Sequence, residues 1–202
     1  MWILEAVESV FEIKCGKSNP AIKLQLSAYW ELEHNGISEG LLFDEEKHLF
    51  TLESTGERLP SVTQVLAKEG LSPNYSWIDP WYSLRGTYIH KATALHDNNN
   101  LDESTIDPEI APYFEAYLKF RKEWAGEIIK IEKRLYHPTW GYAGIIDRVT
   151  KTGNTAHILY LRKDGTYRFE PVKDIRHHLN IFLAALTVRK WKEENLKENS
   201  NG

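Results

Sequence analysis

The spacing of apolar side chains changes period repeatedly along the chain, and each change marks an element. Glu5 to Lys14 (EAVESVFEIK) alternates in part and carries β-branched Val7, Val10 and Ile13, which predicts a strand ending at Cys15-Gly16. Ser18-Asn19-Pro20 breaks the chain. Proline is tolerated in a first helical turn, so a helix is predicted over Ala21 to His34, stopped by Asn35-Gly36. Phe43 to Leu52, with Gly56 beyond it, reads as a polar hairpin, and Ser61 as the N-cap of a short helix from Val62 to Lys68. An aromatic stretch (Tyr75, Trp77, Pro80, Trp81, Tyr82) leads into a helix from Leu84 to His96, ended by Asn98-Asn99-Asn100. Asp107-Pro108 opens a third, Ile110 to Trp124, in which Tyr113, Tyr117, Phe120 and Trp124 share one face. β-like runs follow at Ile128 to Tyr136, Gly144 to Thr150, His157 to Leu161 and Tyr167 to Pro171, before an amphipathic helix from Asp174 to Lys192.

Helices and strands are mixed with no internal repeat, which predicts an α/β (α+β mixed) fold with a small mixed sheet flanked by helices. A length of 202 residues fits one domain, expected over 1–193, with 194–202 a disordered polar tail. An apolar share of 42% and seven tryptophans supply a core. A single cysteine, Cys15, excludes a disulfide framework and any cysteine-ligated cluster. No apolar run reaches the ~20 residues of a membrane helix, so a soluble, cytoplasmic protein with no membrane partner is expected. The net charge of −4 speaks against a nucleic-acid partner until its distribution is read. Residues 1–147 carry 14 basic and 23 acidic groups, whereas 148–193 carry 10 basic and 4 acidic, either an anion-facing strip or a solvated basic helix.

Four groups of residues carry candidate chemistry. In Glu12-Ile13-Lys14, at a strand end, alternation turns Glu12 and Lys14 to one side and Ile13 to the other. Glu12 and the Ile13 carbonyl can ligate Mg²⁺ and Lys14 can orient a water, although such a triplet is also a common surface pair. In Gly144-Ile145-Ile146-Asp147 two β-branched residues expected to be buried precede one carboxylate, either a hard-cation ligand or a turn-making aspartate. Arg85-Gly86-Thr87-Tyr88-Ile89-His90 sets a histidine on a helix four residues after a glycine, and His96 lies off its face, so no zinc-protease pair is present. Gln25 and Tyr29 are helix neighbours able to hold a phosphate or stack on a base, or to be plain helix surface.

Taken together, with Pro60-Ser61-Val62-Thr63 upstream of the histidine, these four resemble the PD-(D/E)xK nuclease superfamily, in its RecB-like branch of phage-type and CRISPR-associated exonucleases. That branch carries GxxxH, GxxD, (D/E)xK and QxxxY, matched here by Gly86…His90, Gly144…Asp147, Glu12-Ile13-Lys14 and Gln25…Tyr29. The resemblance implies a restriction-endonuclease-like core and Mg²⁺ or Mn²⁺ bound by His90, Asp147, Glu12 and the Ile13 carbonyl. It makes Lys14, with Glu12 and Asp147, catalytic, and Gln25 and Tyr29 supports of the site and the DNA backbone. Glu132 matches a less specific acidic position whose role stays open. In that frame 1–38 supplies the ExK strand and QxxxY helix, 39–153 the hairpin, His helix and GxxD strand, and 154–193 the last strands and basic helix.

The motif order is rotated relative to the family, since ExK and QxxxY come first. Moving residues 2–38 between Gly153 and Asn154 restores the usual succession. Circular permutation accounts for this if 152–156 carries the chain across the ExK strand, about 10 Å; the alternative is exchange of the N-terminal segment within a homodimer. Cys15 alone cannot hold the iron–sulfur cluster of some relatives. The expected activity is metal-dependent, exonuclease-like hydrolysis of DNA to a 5′-phosphate and a 3′-hydroxyl, in DNA processing, recombination or repair in a bacterial or phage-infected cell. The alternatives are a non-cleaving DNA-binding module of the same fold and a structural protein that binds no metal. Arg162, Lys163, Arg168, Lys173, Arg176, Arg189 and Lys190 are the expected phosphate-tracking residues, joined by Arg85. Trp77, Trp81 and Tyr82 are candidates for base stacking or for core, and His177 and His178 for the surface.

Overall fold

The computed structural model describes residues 9–15, 19–73, 79–151 and 153–196. Glu5 to Glu8 of the first expected strand, Trp77, Thr152 and residues 197–202 of the expected tail therefore lie outside the described residues. The chain forms two compact units. The first takes Met1–Ser18, Tyr75–Lys133 and Ile146–Val172, and the second Asn19–Asn74, Arg134–Ile145 and Lys173–Gly202, so the division falls within two of the strands. The fold is mixed α/β. Among the described residues no helix is long and apolar enough to cross a membrane.

The first unit is built on a mixed sheet of strands β1 (Ser9–Cys15), β5 (Ile128–His137), β6 (Tyr142–Thr150), β7 (Ala156–Leu161) and β8 (Tyr167–Pro171) in the order β5-β6-β1-β7-β8. β1 runs antiparallel to β6 and parallel to β7, so the earliest strand lies between two that are consecutive in the chain. The link between them passes the N-terminal end of β1, where the Val10 N–H donates to the Thr155 carbonyl at 3.1 Å. Helices α3 (Pro80–Asp97) and α4 (Ala111–Glu123) bury Ile89, Ala92, Tyr113, Tyr117 and Phe120 against Phe11 and Ile13 of β1 and Leu159 and Leu161 of β7. Phe11 meets Phe120, Trp124 and Phe169 edge-on, with centroids 5.7–5.8 Å apart, a packing that aromatic quadrupoles favour. α3 begins four residues earlier than the apolar spacing predicts. The Asp79 carboxylate caps it by accepting the Trp81 N–H at 2.9 Å, and Pro80 fits the first turn.

In the second unit α1 (Pro20–Asn35), α2 (Val62–Lys68) and α5 (Ile175–Asn195) pack on one another. α1 starts at Pro20 and stops before Gly36, one residue beyond the predicted Ala21 to His34 at each end. α2 opens with a capping box: Ser61 Oγ accepts the Gln64 N–H at 3.1 Å, and Gln64 Oε1 accepts the Ser61 N–H at 3.0 Å. α5 continues to Asn195, two residues into the stretch expected to be a disordered tail. The expected hairpin is instead a three-stranded sheet of β2 (Leu41–Asp44), β3 (Leu49–Leu52) and β4 (Arg58–Leu59), because Gly56, at φ +70°, returns the chain to pair Leu59 with Phe50.

Phe11→Ala should cost about 3–5 kcal/mol of stability, since it empties the centre of the aromatic cluster. Ser61→Ala should cost about 1 kcal/mol, through loss of the cap. Urea denaturation of the two variants measures both.

Candidate metal centre

Each strand around the centre contributes through its alternation. Ile13 is buried in the core, so Glu12 and Lys14 share the opposite side, and Lys14 Nζ lies 3.1 Å from Glu12 Oε2. Pairing of β1 with β6 reaches Phe11 and Arg148. Beyond that point the Ile13 N–H leaves the ladder and donates to Asp147 Oδ2 at 2.8 Å. The strand-end group that meets Asp147 is thus an amide; the carbonyl at Ile13 remains what the resemblance implies. Of the two residues before Asp147 that were expected to be buried, Ile146 is, while Ile145 is only partly so.

His90 reaches the same carboxylate from α3, with Nδ1 3.0 Å from Asp147 Oδ2. Glu132 joins from β5. Its ligand oxygen, that of Asp147 and a nitrogen of His90 all lie within 4.8 Å of one another, a spacing that suits one ion. Glu132 has a left-handed backbone, φ +52°, uncommon for a non-glycine residue inside a strand and a local kink in β5. Its side chain is 42% exposed, and Arg148 Nη1 approaches Oε1 at 3.6 Å. The resemblance singled out its position without a role, and a kink is not visible in an alternating pattern.

Charge is crowded here. Glu12 is 2% exposed, and burial first, then the charge of Asp147, pushes its carboxyl up to about 8 despite Lys14 and His90. Burial would also raise Asp147, but the charge and hydrogen bond of His90, then Lys14 and the Ile13 amide, outweigh it and hold Asp147 well below the usual carboxylate range. Burial opposes protonation of both cations. Glu12 and then Asp147 overcome it at Lys14, and Asp147 overcomes it at His90, so both titrate above their usual values. Glu12 Oε1 is buried with no hydrogen-bond partner among the described residues. An orphaned, buried carboxylate oxygen beside a second carboxylate is a place a divalent cation fits, and the donor set of carboxylates and one imidazole suits Mg²⁺ or Mn²⁺.

Behind Asp147 stands a buried network that the sequence barely signals. Arg148 is fully buried; Nε donates to Asp97 Oδ2 at 2.6 Å, Nη1 to the Asp147 carbonyl at 2.7 Å and Nη2 to Thr93 Oγ1 at 3.2 Å. Asp97 also accepts from the Tyr117 hydroxyl and pairs with Arg121 at 3.3 Å. The one hint is a charged residue inside the strand Tyr142–Thr150, which is otherwise nearly all buried.

The remaining candidates have other partners. Gln25 and Tyr29 belong to the second unit and meet each other, Gln25 Nε2 to the Tyr29 hydroxyl at 3.3 Å. The Tyr29 ring lies over Gly144, where an added Cβ would come within 2.5 Å of Cε1, so two of the four motifs interlock sterically. Arg85 stacks between Tyr82 and Tyr113, 4.9 and 4.7 Å from the ring centroids. Tyr82 is exposed and Trp81 partly buried. Arg162 and Lys163 occupy the β7–β8 turn, and Arg168 pairs with Glu170. Lys173, Arg176, Arg189 and Lys190 lie in the second unit, where Arg189 pairs with Glu193 and Lys190 donates to the Trp140 carbonyl. His177 is exposed and His178 partly buried at the start of α5. No protein-family model matches this sequence, and no curated protein matches it.

Arg148→Met should destabilise the protein by about 3–5 kcal/mol, because Asp97 keeps a buried charge without its main partner. Arg148→Lys, which keeps charge but not the fork, should fall between that and wild type. Urea denaturation orders the three. Hydrogen exchange should find the backbone around His90 loosened in both variants.

Proposed function

We propose that the chain is a divalent-metal-dependent deoxyribonuclease of the PD-(D/E)xK type, with a restriction-endonuclease-like core in circularly permuted order. The observation that carries this reading is convergence. Glu12 and Lys14, His90, and Asp147 come from three distant stretches and form one cluster, with both carboxylates buried and one carboxylate oxygen orphaned among the described residues. The rotated order is supported by β1, the ExK strand, lying between β6 and β7.

Asp147, Glu12, His90 and Glu132 would hold Mg²⁺ or Mn²⁺, with the Ile13 carbonyl as the resemblance implies. Such an ion, when bound, polarises a phosphoryl oxygen and lowers the pKa of a bound water. The chain's own residues account for the rest. The Ile13 amide and His90 fix the direction of the Asp147 carboxylate. Lys14 Nζ is anchored by Glu12, within reach of an attacking water and of charge gathering on the phosphate oxygens. In-line attack of that water on phosphorus, with departure of the 3′ oxygen, leaves a 5′-phosphate and a 3′-hydroxyl.

Wild-type protein should bind Mn²⁺ in isothermal titration and cut labelled DNA only with Mg²⁺ or Mn²⁺ present. Lys14→Ala should lower cleavage about 10²–10⁴-fold with Mn²⁺ binding retained, and Asp147→Ala should lose both. Metal-dependent cutting that survives in Asp147→Ala refutes the assignment. DNA binding without any metal-stimulated cutting in wild type would instead support a non-cleaving DNA-binding module.

A further inference from the structure

Arg121, Arg134, Arg148, Arg168 and Arg189 each face a carboxylate at 2.6–3.3 Å. Arg85 is placed differently. Its guanidinium carbon lies 4.9 Å from the centre of the Tyr82 ring and 4.7 Å from that of Tyr113, and no carboxylate pairs with it among the described residues. Nε is buried with no hydrogen-bond partner there. The two Nη groups make no hydrogen bond among the described residues either, yet neither is buried, so they are the end of the fork open to solvent. A cation half withdrawn from water, held by two aromatic faces and given no anion, keeps its charge and its bidentate fork for a partner from outside the fold.

Electrostatics sets this fork on the flank of the candidate metal centre. Arg85 is near enough to the Cys15 thiol to act on it, as are Lys14 and Asp147. Cys15 follows Lys14 directly in β1. Arg85 also acts on Tyr113, the buried ring of the pair, which α4 supplies. On α3 itself His90 comes five residues later, a rise of about 7.5 Å along the helix axis. That is close to the step from one phosphate to the next along a nucleic-acid strand. A strand with one phosphate at the carboxylates therefore brings a neighbouring phosphate within reach of Arg85.

We infer that Arg85 clamps a phosphate of the bound DNA strand other than the one being cut, with Tyr82 and Tyr113 as the positioning residues that hold its guanidinium. This rests on the nuclease reading above. Stacking fixes the plane of the fork before DNA arrives, so two parallel N–H···O bonds form with little further ordering of the side chain. The clamp sets where the cut phosphate lies relative to Lys14 without touching the ion.

Arg85→Met should bind a DNA oligonucleotide about 10–100-fold more weakly with Ca²⁺ in place of Mg²⁺, and its slope of log affinity against log salt should fall by about one. Its Mn²⁺ affinity should stay within about twofold of wild type. Arg85→Lys should recover the slope but not the affinity, since the ammonium keeps the charge and loses the fork. Tyr82→Leu, at the exposed ring, should weaken binding with the slope unchanged. A set of oligonucleotides, each with one phosphate made an uncharged methylphosphonate, locates the contact. At one position other than the cut phosphate, wild type should lose about tenfold in affinity and Arg85→Met nothing further. Where Arg85→Met does not fold, Arg85→Lys decides by the same comparison, with a smaller loss than wild type at that position. Lys91→Leu, a charge removed from an exposed site of the same helix, should bind and cut like wild type. An Arg85→Met protein with wild-type affinity and slope, or one as sensitive as wild type to every methylphosphonate, overturns the inference and leaves the nuclease reading standing. So does a parallel fall in Mn²⁺ affinity, which would make Arg85 a support of the cation site. A wild-type protein that neither binds Mn²⁺ nor cuts DNA removes both readings together.

Discussion

A fully buried guanidinium ties the first unit together. Arg148 spends its donors on Asp97 and Thr93 of α3 and on the carbonyl of Asp147 within its own strand, so helix and strand share one charged fork. A buried pair of this kind is weak evidence for added stability, because the desolvation of both ions offsets much of their attraction. Its contribution is positional. α3 carries His90 and β6 carries Asp147, and the fork fixes the registration of one against the other. Tyr117 and Arg121 extend the constraint to α4 through Asp97.

The candidate metal centre has the opposite electrostatic character. Arg148 and Asp97 meet at hydrogen-bonding distance, whereas Glu12 and Asp147 are two carboxylates crowded in one buried place and held by Lys14, His90 and a single strand amide. The protein has compensated most of that charge and left one carboxylate oxygen over. The cost of that crowding is carried as a carboxyl at Glu12 that resists ionisation.

Much of this was legible from local pattern. Proline at the start and glycine at the end delimited α1, a serine cap delimited α2, and alternation assigned Ile13 to the core and its neighbours to the opposite side. Tyr167–Pro171 was found at both ends. What pattern could not supply were interactions closed over long separations. Asp97 looks like a residue of a helix terminus until Arg148 meets it, and Glu132, an acidic position without a role in the sequence, gains neighbours only when β5 is set beside His90 and Asp147. β4 is two residues long, too short for any periodicity to register. The steric lock of Gly144 under Tyr29 was likewise invisible, although both residues had been singled out for other reasons.

The central position of β1 also bears on how the chain acquires its structure. Ile13 and Asp147, joined by a hydrogen bond, are 134 residues apart, and both neighbours of β1 are made after nearly everything else in the fold. The middle strand of the sheet is therefore synthesised early and seated late. Until β6 and β7 emerge, its apolar side (Phe11, Ile13) and both of its hydrogen-bonding edges have no native partner. Closure of so large a loop is slow and leaves an aggregation-prone segment exposed meanwhile. An early strand at the middle of the sheet moves the burden from the folded molecule to the interval before it exists.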